Sequence, residues 1–393
     1  MTIGARLILS FALVAAACVG DRTDVPVTAK PGEPLPGLTE EQLARFETGK
    51  RAFTRVYTPQ QGLGPLYTEN SCNACHHEPE TGGGGGEPDT HASRFVEPDS
   101  CDPMVEEGGF VRKGATPLMR PFAADRFEPP IMANGVEQFF APPLYGHGLI
   151  EAIPEETITA LADPDDENDD GISGRVSRLV DGRLGRFRRK ADRAAIHDLA
   201  EAGVRFAIGL TTPDHPDELS DRGVPIPPGV DLAADPEIGR AEVEAITDFV
   251  RFLAPPNRAD LADEKVRTAV RQGERAFDKI GCADCHVQRL RTGPNVVAAL
   301  DRKVVPLYSD LLLHDMGPEL AGVCGPTATP SELRTEILWG LRYRREGYMH
   351  NGKARSLEEA IALHDGEARR SRVAFMRLSR PQQEALIRFL QSL

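Results

Sequence analysis

Two short stretches decide how this chain is read: CNACH at residues 72–76 and CADCH at residues 282–286. In each, two cysteines three residues apart are followed at once by a histidine. With 10 histidines in 393 residues, chance puts one after both pairs with a probability of about 6 × 10⁻⁴. CxxCH is the attachment pattern of c-type haem: Cys72 and Cys75, or Cys282 and Cys285, add to the porphyrin vinyls, and His76 or His286 binds the iron. Zinc would have to gather CxxC pairs from opposite halves of the chain, and a redox dithiol would sit in a βαβ setting that the sequence lacks. The pattern therefore predicts two covalently bound haems.

Working outward, each motif follows a helix-spaced apolar stripe. Leu43, Phe46, Gly49 and Phe53 precede the first; Val266, Ala269, Val270, Gly273 and Phe277 precede the second. Small residues on such a helix let another cross closely. Each half closes with a further apolar stripe, one at Val243, Ile246, Phe249, Val250 and Leu253 before Pro255-Pro256, the other at Leu386, Ile387, Phe389, Leu390 and Leu393. The expected fold is mainly α: two cytochrome c-like domains, 39–256 and 257–393, with long irregular loops and little sheet. The loops are expected over 100–235, which is rich in Pro, Gly and charge.

Composition narrows the setting. Hydrophobic residues make up 40%, enough for a core. Lys+Arg 46 against Asp+Glu 60 gives a net charge of −14, which argues against nucleic-acid binding. No apolar run reaches the ~18 residues of a membrane span. Arg6, the apolar run Leu7–Val14, Ala15–Ala17 and Cys18 match a secretory signal, either lipoprotein-type with Cys18 lipidated or cut nearby as a plain signal. The expected mature protein is periplasmic, tethered by residues 19–38 and held to the bacterial outer membrane by lipid. In that oxidising compartment Cys101 and Cys324 either pair, bridging the halves, or stay as free thiols.

The segments GLGPLYTENSCNACH, GHGLIEAIP, DPDDENDDGISGR, PLYSDLLLHDMG, ELRTEILWGL, YMHNGKARSLEEAIALHDGEA and LIRFLQSL, spread over residues 62–393, resemble the bacterial di-haem oxidoreductase family. Its members are labelled peroxidases or thiol oxidoreductases, and it is related more distantly to di-haem cytochrome c peroxidases and MauG-type enzymes. Asn351, Lys353 and Glu336 depart from its common Asp, Arg and Pro.

The resemblance implies further ligands. In related peroxidases an axial ligand follows the xYxHxG turn by fourteen residues; counted from His350, that position is His364, at the end of a helix opened by the capping sequence Ser356-Leu-Glu-Glu359. His364 is thus the expected distal ligand of the second haem, with His314, Met316 and Met349 as rivals. His91, beyond the Gly82–Gly86 run, whose five glycines are expected to be mobile, occupies the offset of a displaceable ligand to the first haem; the plainer reading is an exposed loop histidine. The stretch APPLYGHGLIEAIP resembles the one carrying the catalytic acid/base, which points to Glu151 with His147 and Gln138 beside it. Trp339 is either an electron relay or a core residue, and Arg334, Lys353 and Arg355 are candidate partners of the haem propionates.

Asp166, Asn168 and Asp170 alternate ahead of Gly171 as in calcium loops, but Ser177 stands where an EF-hand has Glu; Asp163 or Asp165 would have to complete the site. The functional expectation is a peroxidase-like enzyme passing electrons from the second haem to the first, where peroxide or another small oxidant is reduced. The alternatives are a pure electron-transfer cytochrome and MauG-type oxidation of a protein. The acidic surface would steer a basic donor such as a small cytochrome c.

Overall fold

A computed structural model describes residues 27–98, 100–102, 104, 109–123, 127–219, 224–345, 347–349 and 351–393. The leader expected at 1–18, with Cys18, lies outside them. Among the described residues the α-helices are α1 (Glu40–Phe53), α2 (Cys72–Cys75), α3 (His147–Glu151), α4 (Glu155–Thr159), α5 (Ile196–Ala202), α6 (Arg240–Phe252), α7 (Glu264–Lys279), α8 (Leu357–Leu363), α9 (Arg369–Met376) and α10 (Arg380–Gln391). Local chemistry sets their ends. Thr39 and Gln42 form a capping box on α1, Asp263 caps α7 by accepting from the Lys265 and Val266 amides, and Ser379 with Gln382 caps α10.

The long helices cross in two matching pairs, α1 with α6 and α7 with α10. Glycine makes each crossing close: a Cβ on Gly49 would lie 2.0 Å from the Ala245 carbonyl oxygen, and one on Gly273 would lie 2.0 Å from that of Ala385. The aromatic packing repeats as well. Phe249 contacts Phe46 and Phe53 at 5.2 and 4.8 Å between ring centres, and Phe389 contacts Phe277 at 5.3 Å. Of the two opening stripes read from the sequence, Phe46, Gly49 and Phe53 and Val270, Gly273 and Phe277 are buried in these pairs, while Leu43 is exposed.

Sheet is confined to pieces of two or three strands. The largest departs from the loop expectation. Gly85–Val96 is a twelve-residue strand paired antiparallel with Gly135–Ala141 and with Ser100–Asp102. Its burial does not alternate: His91, Ala92 and Ser93 are buried in a row, and it is rich in polar residues rather than the aliphatic ones that signal a strand.

Two other boundaries move. The tether expected at 19–38 is packed from residue 27 onward: Ala29 and Leu35 are buried, and the Leu35 amide donates to the Phe252 carbonyl at 2.7 Å. The division at 256/257 separates two helix pairs, each with its own apolar cluster, but the first cluster draws on residues from both sides of it. Leu290, Leu300, Val305, Leu307, Leu311 and Leu312 complete the apolar cluster built on Phe46, Phe249 and Phe252. A smaller cluster holds α7, α8 and α10 together around Phe277, Leu386 and Phe389. Cys101 and Cys324 form a disulfide between the halves, 5.8 Å apart at Cα.

Candidate functional site

The second CxxCH turn follows Gly281, whose φ of 85° lets the chain leave α7 sharply. It opens on a cavity of about 1280 Å³, walled mainly by apolar groups including Phe277, Leu338, Leu341, Leu386 and Leu390. Cys282, Cys285 and His286 line it from one side and His364 from the other. His286 Nδ1 donates to the Tyr308 carbonyl at 2.9 Å, and His364 Nδ1 to the Ala360 carbonyl at 2.7 Å, so each imidazole keeps Nε2 free. The two ring centres are 6.5 Å apart. A metal ligated by both at about 2 Å per bond requires roughly this separation. Burial holds both rings neutral, as ligands must be; it pushes the His286 pKa down to about 4.

The rivals to His364 share the cavity wall, but His314 is spent. Asp310 Oδ2 accepts from its Nε2 at 2.9 Å and Glu367 Oε2 from its Nδ1 at 2.7 Å. Burial alone would lower its pKa; hydrogen bonds to Asp310, Cys285 and Glu367 outweigh this and push it up to about 12. An imidazolium with both nitrogens engaged offers no lone pair.

The first site repeats the anchoring. Ser71 caps α2, and Cys75 is buried. His76 packs on Phe53 at 6.0 Å between ring centres and donates from Nδ1 to the Gly83 carbonyl at 3.0 Å. The Gly82–Gly86 run, expected to be mobile, is packed against this turn: a Cβ on Gly83 would lie 1.9 Å from the Glu78 oxygen and one on Gly86 2.9 Å from Cys75 Cα. Its glycines serve close approach rather than freedom. His91 is neither on a loop nor exposed. It is buried on the long strand, its ring 4.1 Å from Phe110 and 5.1 Å from Phe139.

A family model described as "Di-haem oxidoreductase, putative peroxidase" matches residues 135–393, most of the chain. The chain belongs to this di-haem oxidoreductase family. Among solved structures it is similar to Kuenenia stuttgartiensis hydrazine synthase, with 13% identity, 99% of this chain and 100% of that chain covered, and a TM-score of 0.42. It is also similar to a MauG-like protein associated with microbial copper homeostasis, with 16% identity, 94% and 93% coverage, and a TM-score of 0.42. No curated protein matches the sequence.

The residues of this di-haem oxidoreductase fit the groups its family name implies. The second cavity has two thiols, two opposed imidazoles and a buried Thr335 hydroxyl without a hydrogen-bond partner. Arg334 lines it as expected, while Lys353 and Arg355 are exposed and outside the wall. Arg344 and Arg372 do line it, and no motif singled them out.

The acid/base trio is not brought together. Gln138 is exposed on its strand. Glu151 is tied up at the end of α3: Oε1 accepts from the Ile196 amide at 2.8 Å, opening α5, and Oε2 from Arg251 Nε at 2.9 Å. His147 is different. It is buried, stacked flat on Phe187 at 5.2 Å, and its Nδ1 has no hydrogen-bond partner. Its pKa is pushed down to about 4, first by burial, then by the Arg334 charge, with His76 and Glu336 also near enough to act on it. Trp339 packs on the turn just before it: a Cβ on Gly146 would meet its ring at 2.5 Å.

The acidic loop turns its side chains inward. Asp166 Oδ1 accepts from the Asp170 and Gly171 amides at 3.0 and 3.1 Å, and Asn168 Oδ1 from Asp170 at 2.9 Å. Asp163, Asp166 and Asp170 do not converge as a metal-holding group among the described residues. The loop abuts the second site through Ser173, whose amide donates to Glu367 at 3.0 Å.

Proposed function

We propose that this di-haem oxidoreductase reduces peroxide at its first site with electrons received at its second. The observation that carries the reading is the pairing of His286 and His364 across the second cavity. A centre closed by two imidazoles stores and passes electrons but has no position for peroxide, which assigns the chemistry to the first. When bound, the two haems supply two one-electron stores, and peroxide takes up two electrons and two protons to leave as two waters.

The chain's own residues do the rest. Cys72, Cys75, Cys282 and Cys285 anchor by thioethers, and His76, His286 and His364 ligate. His147, neutral and buried beside His76, is the proton-holding group in this reading, and Glu151 fixes the helix that carries it. His91, buried on the strand that begins in the glycine run, is the displaceable candidate. Each half is a cytochrome c-like unit, 39–256 and 257–393, whose opening and closing helices cross beside the CxxCH turn.

The setting is the periplasm, with a lipid anchor at Cys18 and an acidic surface that draws a basic cytochrome c as donor. Among the described residues no helix is long and apolar enough to cross a membrane. The test is EPR and optical spectroscopy of half-reduced protein given peroxide. Only one haem should respond, and His364→Ala should convert the other from low to high spin. A response at the centre altered by His364→Ala in the wild-type protein would overturn the assignment.

A further inference from the structure

A second cavity, of about 880 Å³, lies away from both CxxCH turns. Its walls include Ala92, Ser93, Gly109 and the Cys101–Cys324 disulfide, and one side presents Arg188, Arg189, Lys190 and Arg193. The backbone there is bent to do so: Arg188 and Ala191 have φ of 63° and 49°, conformations that β-carbon-bearing residues seldom adopt.

Arg189 is the anomaly. Its guanidinium stacks on the Phe139 ring, its Nε is buried without a hydrogen-bond partner, and among the described residues no carboxylate comes within ion-pair distance. The carboxylates nearest in effect are Glu137, Asp192 and Asp89, and each is engaged elsewhere. Glu137 accepts from Asn351 Nδ2 at 2.6 Å, Asp192 pairs with Arg188 at 3.1 Å, and Asp89 pairs with Lys113 at 2.8 Å. Among the described residues Lys190 pairs with no carboxylate either; its ammonium donates to the carbonyls of Thr329, Pro330 and Glu332. Burial, and then the Arg188 charge, lower the Arg189 pKa to about 9. Arg189 is half-buried with its Nε fully enclosed, and a partly desolvated cation with no counter-charge among the described residues is costly; the usual remedy is an anion. Guanidinium forks fit carboxylates and oxyanions two bonds at a time.

We propose that this cavity binds an anion with a carboxylate or oxyanion head, seated on Arg189 and flanked by Arg188 and Arg193. The head comes either from a dissolved small anion or from a propionate of the first haem. The inference stands apart from the peroxide reading. It does touch the second site, because Arg334, which lines that cavity, donates through its backbone amide to the Arg189 carbonyl at 2.7 Å and through Nε to the Arg188 carbonyl at 2.9 Å.

The test uses the haem-loaded protein in buffer free of oxyanions. Inorganic phosphate and succinate are titrated by calorimetry up to about 10 mM, and thermal unfolding is followed in parallel. For a dissolved anion, one of them binds saturably and raises Tm. Arg189→Gln then weakens binding by about tenfold or more and abolishes the Tm rise, with both haem spectra unchanged. For a propionate, neither probe binds, and Arg189→Gln shifts the midpoint potential of the first haem while the second keeps its own. No saturable binding together with unchanged potentials in Arg189→Gln would overturn the proposal. Because the substitution removes a charge and keeps hydrogen-bonding capacity, loss of folding is not the expected result.

Discussion

Replacing Gly273 by alanine tests whether the crossing of α7 and α10 holds the second attachment turn in place. The new Cβ would lie 2.0 Å from the Ala385 carbonyl oxygen, 2.6 Å from its carbon and 2.7 Å from Phe389 Cβ. Ordinary contact begins near 3.4 Å, so the helices must part by roughly 1.4 Å. The obstructing atoms are backbone and cannot rotate away. Over-packing of this kind costs about 1–3 kcal/mol, and exchanging glycine for alanine within a helix returns ~1 kcal/mol. With a rigid obstacle the upper end applies, leaving a net loss of about 2 kcal/mol. Gly49→Ala, facing the Ala245 carbonyl at the same 2.0 Å, should lose a similar amount. Gly203→Ala is the control, since nothing lies within 4 Å of its Cβ position. Guanidinium unfolding of the haem-loaded proteins reads the difference. If Gly273→Ala unfolds at or above the wild-type midpoint, the close crossing is not what the helices depend on.

Glu151→Gln keeps an acceptor for the Ile196 amide but loses the charge paired with Arg251, so it should cost about 1–2 kcal/mol in urea unfolding with peroxide turnover retained. Full stability with turnover abolished would instead make Glu151 a catalytic residue. His314 has a pKa raised to about 12 in the fold against 6.5 in the unfolded chain. Its contribution is therefore complete below pH 6.5 and declines as the pH rises toward 12. The stability gap between wild type and His314→Gln should narrow from pH 6 to pH 9; a gap that widens would refute the triad with Asp310 and Glu367.

The parts of this molecule legible in the sequence are those written in repeated local patterns. The CxxCH turns and the glycine-bearing stripes of α1 and α7 could be placed because 3.6-residue periodicity and thiol spacing are short-range signals. The Ser356 cap could be too: its hydroxyl accepts from the Glu359 amide at 3.1 Å, and α8 ends where His364 is needed. What escaped depended on distant partners. The strand at 85–96 declares itself only through its pairing with 135–141, because its buried face carries His91 and Ser93. A glycine run read as slack proved tight, since composition does not tell conformational freedom from close approach. Glu151 looked reactive in its motif, yet Arg251 and the Ile196 amide, 100 and 45 residues away, already occupy it. No local pattern marks the cations at 188–193, and only the folded chain shows Arg189 stacked on Phe139.

The shared core has a consequence for how the two haem stations communicate. Leucines from 290 to 312 are packed into the same body as Phe46 and Phe249, and the 101–324 disulfide ties the far side. Tunnelling rates fall steeply with separation, so a relay split between hinged lobes would have to wait for them to meet. In the proposed relay the interval would be set once, during folding, by this packing. Excising either half to study it alone would strip apolar surface from the other, so the relay and its scaffold cannot be taken apart.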